Sequence, residues 1–260
     1  MGTSQSKPST PGGSPLVAPW ADQDPPAPDQ PQPAPAVTDV LPAAPLSGVR
    51  RALREYMGTG DRAAGRRALG RYARAMGGTR ASARHARAAR TGGAALSSLA
   101  SVAQANGAAV VVAGFDLGTL AGRPLEEAIT TIVDQFCPPG ILDEDVVRSA
   151  MAEALFEALG DQPVFDLNAV TDHVVVVATV CFVAELVFAA VAAEQGKSAE
   201  NVSPATAVQR ENALRDLVRA AADEIATPIV QRTGGSLDPA GLDGIIAEIT
   251  GAVYGEMARW

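Results

Sequence analysis

Arg80, Arg84, Arg87 and Arg90 recur at steps of four, three and three within "RASARHARAAR". On a helix, that spacing sets four guanidinium groups along one face. Like charges so close repel one another unless an anion lies among them, which makes the group a candidate for anion or partner binding. Arginine suits phosphate and carboxylate alike, because its planar fork pairs with either bidentately. Phosphate contact would be salt-sensitive and blind to base sequence. Only Tyr56 and Tyr72 interleave with the surrounding basic stretch, too few aromatics to support base stacking. A protein partner is therefore favoured over nucleic acid, and the acidic part of the same chain is one candidate.

A second reactive group stands at the front of the chain. Met1-Gly2-Thr3-Ser4-Gln5-Ser6 formally fits an N-acylation pattern. The Ala/Arg/Gly/Val-rich composition is that of a GC-rich bacterial genome, where that acylating enzyme is not expected. A small second residue still permits removal of Met1 and exposure of the Gly2 α-amine. With an unperturbed pKa of about 7.7–8.0, a useful fraction of such an amine is nucleophilic at neutral pH. Behind it, Pro15-Leu16-Val17-Ala18-Pro19-Trp20 and Asp22 form a compact clip by which an enzyme would grip the segment.

The other reactive side chains form no familiar constellation. His85 and His173 are the only histidines, and with Cys137 and Cys181 they show no zinc-ligand spacing. Cys181 falls in an apolar run and reads as an inert core thiol. No nucleophile elbow, H-E-x-x-H, P-loop or dinucleotide fingerprint is present. No metal, cofactor or catalytic residue is expected. "GAVYG" at 251–255 spaces two glycines four apart, which permits close helix packing.

The elements that must carry these groups divide the chain by charge. Residues 1–49 have a net charge of −3, residues 50–90 carry twelve Arg against Glu55 and Asp61, and residues 91–260 have a net charge of −15. Twelve of the 19 prolines fall in residues 1–49. Such a segment buries too little apolar area to offset an ordering entropy of about 1–2 kcal/mol per residue. Residues 1–46 therefore read as a disordered tail, with "DPPAPDQPQPAP" as an extended spacer. Residues 47–92 read as a basic, Arg-rich helical region and 93–260 as an acidic helical bundle, so the fold class is mainly α. In the bundle, Leu125, Ala128, Ile129, Ile132, Val133 and Phe136 make a helical stripe that Pro138-Pro139-Gly140 stops. A second helix begins acidic at Asp143 and ends at Gly160, a third runs from about Asp166 to Gln195, and a fourth carries Leu214, Leu217 and Val218. The last is capped by Asp238 and Pro239. "AAVVVAGF" at 108–115 fits a short strand or a buried helix equally.

Residues 174–193 are long and apolar enough to span a membrane. Glu185, near the middle, would cost about 2.5 kcal/mol or more there, so a central buried helix is the better reading. Glu185 then needs a partner, for which an Arg of the basic region is a candidate. Two cysteines cannot make a disulfide framework and no secretory signal is visible, so a reducing, cytoplasmic setting is expected.

"MGTSQS…GGSPLVAPWAD", the proline-rich spacer and "LGRYARAMGGTRASARHARAARTGGAALSSLAS" together resemble the QatB family, the B components of four-gene Qat anti-phage defence systems of bacteria. The likeness is specific at residues 1–24, fair over about 65–100 and compositional beyond. Ala18 stands where the pattern "LVPPWAD" has a proline. Members are accompanied by an ATPase, a QueC-like enzyme and a TatD-like nuclease. QueC-type enzymes adenylate a carboxy-deazaguanine and pass it to an amine. The resemblance implies a non-enzymatic component whose Gly2 accepts the base. It also implies that Thr3, Ser4, Pro15, Leu16, Val17, Pro19, Trp20 and Asp22 serve recognition by the QueC-like enzyme. The helical body would assemble with the ATPase and nuclease. Two alternatives remain open: a nucleic-acid-binding adaptor acting through Arg80, Arg84, Arg87 and Arg90, and a membrane-associated effector acting through 174–193.

Overall fold

Two helices open the described chain, each built on apolar residues at helical spacing. The computed structural model describes residues 46–106, 108, 110–137, 144–160 and 162–260. Helix α1 (Ser47–Thr59) turns Val49, Ala52, Leu53, Tyr56 and Met57 inward. It stops at Gly60, whose φ of 70° suits only a residue without a Cβ penalty. Asp61 then starts α2 (Arg62–Met76), its carboxylate accepting from the Ala64 amide at 2.9 Å. The short turn returns the chain on itself. A Cβ on Gly65 would lie 3.0 Å from the Tyr56 ring, so glycine lets the two helices meet. The Tyr56 hydroxyl donates to the Arg210 carbonyl at 2.7 Å and ties this hairpin to the acidic helices.

Helix α3 (Ala86–Gln104) follows a 3-10 segment, and the Gly92-Gly93 pair lies within it. The composition thus changes in the middle of a helix. A Cβ on Gly92 would collide with the buried Phe182 ring, and one on Gly93 with the Asp243 carboxylate. The "AAVVVAGF" stretch resolves into a small antiparallel hairpin, β1 (Val111–Val112) and β2 (Phe115–Asp116). Its turn residues Ala113 and Gly114 have φ of 51° and 80°, the positive values that a tight two-residue hairpin turn favours.

The remaining helices are α4 (Leu125–Phe136), α5 (Glu144–Leu159), α6 (Asp172–Ala192), α7 (Pro204–Arg232) and α8 (Leu242–Met257). The architecture is mainly α, as the periodicity implies. The α4 stripe is buried at all six expected positions, while the Pro138-Pro139-Gly140 stop and Asp143 lie outside the described residues. The third helix starts later than expected. Asp166 caps a 3-10 turn, Leu167–Ala169, and Thr171 caps α6 through the Val174 amide. Asp238 caps a further 3-10 turn, Pro239–Gly241, which leads into α8.

Helix α6 sits at the centre, packed against α3, α5, α7 and α8. It alone among the described helices is long and apolar enough to cross a membrane, and 72% of its apolar window is buried within the fold. Val175, Ala178, Phe182, Val183, Leu186, Val187 and Val191 are all buried. Burial on every side, rather than on one stripe, is what an all-round apolar helix requires.

Replacing Gly92 by Ala is expected to destabilise the fold by about 1–3 kcal/mol, because the added Cβ would stand 2.1 Å from the fully buried Phe182 ring. Gly244 in α8 has nothing within 4 Å of its would-be Cβ. There, Gly244→Ala is expected to stabilise by up to about 1 kcal/mol through helix propensity. Urea unfolding midpoints of the two variants should move in opposite directions.

Candidate functional site

Gly77 and Gly78, with φ of 100° and 59°, end α2 and hand the chain to a 3-10 segment, Gly78–His85. This segment packs closely on α8 because of the two glycines in "GAVYG". A Cβ on Gly251 would stand 2.9 Å from the Thr79 carbonyl oxygen, and one on Gly255 2.8 Å from Thr79 Cγ2. Close packing through small residues is the role their spacing suggests.

The 3-10 geometry changes the expected arginine stripe. Arg80 and Arg84 belong to a helix with about three residues per turn, whereas Arg87 and Arg90 belong to α3. The four do not share one α-helical face. All are exposed. Arg84 Nε donates to the Met76 carbonyl at 3.4 Å and Arg90 Nε to the Ala86 carbonyl at 3.3 Å. Arg84 and Arg87 do come together, with His85 between them, on the rim of a cleft of about 400 Å³. Its floor is apolar, made by Val146, Leu186, Ala189 and Ala193. Arg80 and Arg90 lie outside that cleft.

His85 is anchored from below. Its Nε2 lies 2.8 Å from the Tyr254 hydroxyl, and the two rings stack with centroids 5.5 Å apart. Tyr72 also neighbours Tyr254, with ring centroids 6.0 Å apart and the rings tilted by 36°. Burial raises the phenol of Tyr254 well above its ordinary value, and burial likewise raises that of Tyr72. Two neutral phenols and the His85 ring, in contact one with the next, form a seat for the rim.

A second cleft of about 450 Å³ shares Val146, Ala189 and Ala193 with the first and reaches Glu185 and Arg215. Glu185 is only 5% exposed. Its compensation comes from α7, not from the basic region: Arg219 Nε donates to Glu185 Oε1 at 3.1 Å. Arg215 Nε lies 3.4 Å from Oε2, close enough for attraction but without hydrogen-bond alignment. Positions 215 and 219 are four apart and so share a helix face, a signal that could have been read from the sequence. Arg219 also donates to Glu157 at 3.3 Å and to Cys181 Sγ at 3.5 Å. Arg215 stacks over the Phe188 ring at 4.7 Å.

Both cysteines are buried and free. Burial pushes the Cys181 thiol up to about 12 and the Cys137 thiol up to about 11. Neither is a thiolate near neutral pH. Among the described residues, no group of three or more His, Cys, Asp and Glu is placed to hold a metal ion. Gly2, Thr3, Ser4, Pro15, Leu16, Val17, Pro19, Trp20 and Asp22 lie outside the described residues.

A family model described as Qat anti-phage system associated protein QatB matches residues 77–256. The chain belongs to the QatB family. The match starts at the glycine that closes α2 and ends near the end of α8. It takes in the 3-10 segment, the arginine-rimmed cleft and the Glu185 network. The protein is a component of a Qat anti-phage system, and membership of a system with several components implies partner proteins. No curated protein and no solved structure matches the chain.

Glu185→Ala should leave Arg215 and Arg219 side by side on α7 against an apolar helix. Loss of one partner of a buried pair costs about 3–5 kcal/mol. Because both arginines keep partial solvent access, the low end of that range, about 3 kcal/mol, is expected from urea unfolding.

The cysteine shifts set a direction for alkaline pH. Folded-state values of about 11 and about 12, against 9.0 without the protein environment, mean that the fold favours the neutral thiols. That stability is fully present below pH 9 and is lost as the pH rises through the folded values. The urea midpoint should be flat from neutral pH to about pH 9 and then fall. A midpoint that rises over the alkaline range would contradict the assignment.

Proposed function

We propose that this protein is a non-catalytic component of its Qat system, conjugated through the Gly2 α-amine to a deazaguanine base by a QueC-like partner. Two observations support this reading. The family model covers residues 77–256, and residues 1–24 carry the "MGTSQS…SPLVAPWAD" likeness. The chemistry asks little of this chain. The QueC-like enzyme activates the carboxylate of a carboxy-deazaguanine as its adenylate, releasing pyrophosphate from ATP. The unprotonated Gly2 amine attacks the acyl carbon, an amide bond forms, AMP leaves, and the amine proton passes to solvent. Glycine presents that amine without a side chain. Thr3, Ser4 and the Pro15–Asp22 clip hold the segment in the partner's pocket.

The helical body is the assembly platform for the system's ATPase and TatD-like nuclease, in the cytoplasm. Its reactive side chains serve packing: both thiols are held neutral by burial, and His85 is seated on Tyr254. The arginine-rimmed cleft, with Arg84 and Arg87 above an apolar floor, is the partner-binding feature within the family-matched segment.

Intact-mass and peptide-fragmentation spectrometry of the protein co-expressed with its QueC-like neighbour tests the proposal. The expected product has lost Met1 and gained one deazaguanine acyl group on Gly2. Gly2→Leu, which retains Met1, should carry no adduct, and Trp20→Ala should reduce its yield. An unmodified mass beside a demonstrably active partner would overturn the proposal.

A further inference from the structure

Eight of the twelve arginines between residues 50 and 90 lie on the α1–α2 hairpin, which precedes the segment matched to the family. All eight are exposed. The hairpin packs inward through its apolar residues, and of its arginines only Arg50, Arg66 and Arg74 engage the later part of the described chain, Arg66 by lying over the Trp260 ring at 5.0 Å. Arg50 bridges to Glu194 at 2.9 Å and Arg67 to Glu55 at 3.0 Å. Among the described residues, no carboxylate lies within 4 Å of Arg51, Arg54, Arg62 or Arg71.

Contacts between the helices show how these groups are arranged. A Cβ on Gly48, in the first turn of α1, would lie 3.9 Å from Arg71 Nη1 late in α2. Glu55, in the second half of α1, meets Arg67 near the middle of α2. The helices therefore run antiparallel. The row Gly48–Arg51–Glu55 lies beside the row Arg74–Arg71–Arg67, each at three- and four-residue steps along one face. Between them, Gly48, Val49, Arg71, Arg74 and Ala75 line a cleft of about 450 Å³. Arg54, one turn beyond Arg51, flanks the same face. Glu55 is the only carboxylate on either row.

We propose that this face binds the phosphodiester backbone of a nucleic acid, with Arg51, Arg54, Arg71 and Arg74 contacting phosphates. An acidic protein would be the other polyanion, but protein interfaces set their arginines around apolar or aromatic anchors. The hairpin offers none. Among the described residues, the exposed large apolar side chains, Val111, Phe156, Val164 and Val208, all lie later in the chain. The exposed side chains of α1 and α2 are arginines, Glu55 and small residues. A surface of guanidinium groups with small residues between them meets the needs of sequence-independent phosphate contact and little else. The residues differ from Arg80, Arg84, Arg87 and Arg90, and the inference does not rest on conjugation at Gly2.

Fluorescence anisotropy of the full-length protein with labelled 30-base-pair DNA and a 30-nucleotide single-stranded RNA, at several salt concentrations, tests this. Binding should weaken steeply with salt on at least one of the two probes. Arg51→Gln/Arg54→Gln/Arg71→Gln should lower the slope of log affinity against log salt by about 0.9 per lost contact on duplex DNA, or about 0.7 on a single strand. Arg74 is left intact because it also donates to the Ala258 carbonyl. Arg232→Gln, on a distant ion pair with Glu248, should leave both affinity and slope unchanged. Circular dichroism should show the triple variant folded. Three results would overturn the proposal: no binding of either probe at low salt, an unchanged slope in the folded triple variant, or equal competition by polyglutamate at matched charge.

Discussion

A helix that is apolar on every side has to be enclosed, and α6 imposes that requirement on the rest of the molecule. From Ala178 to Phe188 every side chain is buried, whichever way it points. The cost of one carboxylate in that setting then dictates local chemistry. Glu185 faces α7, where Arg215 and Arg219 meet it one helical turn apart, and Arg219 is held in turn by Glu157. The arrangement leaves no lone buried charge, which would cost several kcal/mol.

Small residues set how closely the other elements approach this centre. Gly92 lets α3 lie on the Phe182 ring. Gly251 and Gly255 admit the backbone around Thr79 against α8, and Gly65 admits Tyr56. With alanine and glycine at these contacts, aromatic side chains fill what remains. The stack of Tyr72, Tyr254 and His85 runs from the interior to the rim of the arginine-lined cleft. The position of that rim follows from helix contacts made well away from it.

Much of this was legible in the sequence because helical periodicity is a local property. The α4 stripe and the apolar character of α6 follow from neighbouring residues, and Asp238 is a cap as its type predicts, though of the 3-10 turn before α8 rather than of α8 itself. What was not legible depends on long-range packing or on a change of helix type. Arg215 and Arg219 carry the right spacing, but nothing local says that their face opposes Glu185. The 3-10 course of Gly78–His85 arises where two left-handed glycines meet a glycine-lined helix, so the four arginines do not share the single α-helical face that their spacing predicts. The basic hairpin follows the same logic in reverse: its charge is plain in the sequence, and only the contacts among the described residues show that Arg51, Arg54, Arg62 and Arg71 have no carboxylate beside them. Membership of the QatB family rests on residues 77–256 and fits the likeness read from the sequence.

Where the chain changes from basic to acidic, around Gly92-Gly93, the backbone is in the middle of α3. The boundary in composition is therefore not a joint. A protease has no exposed loop to enter there, and a truncation at that point would split a helix and bare the apolar edge of each fragment. The two stretches, opposite in charge, cannot be parted without breaking α3.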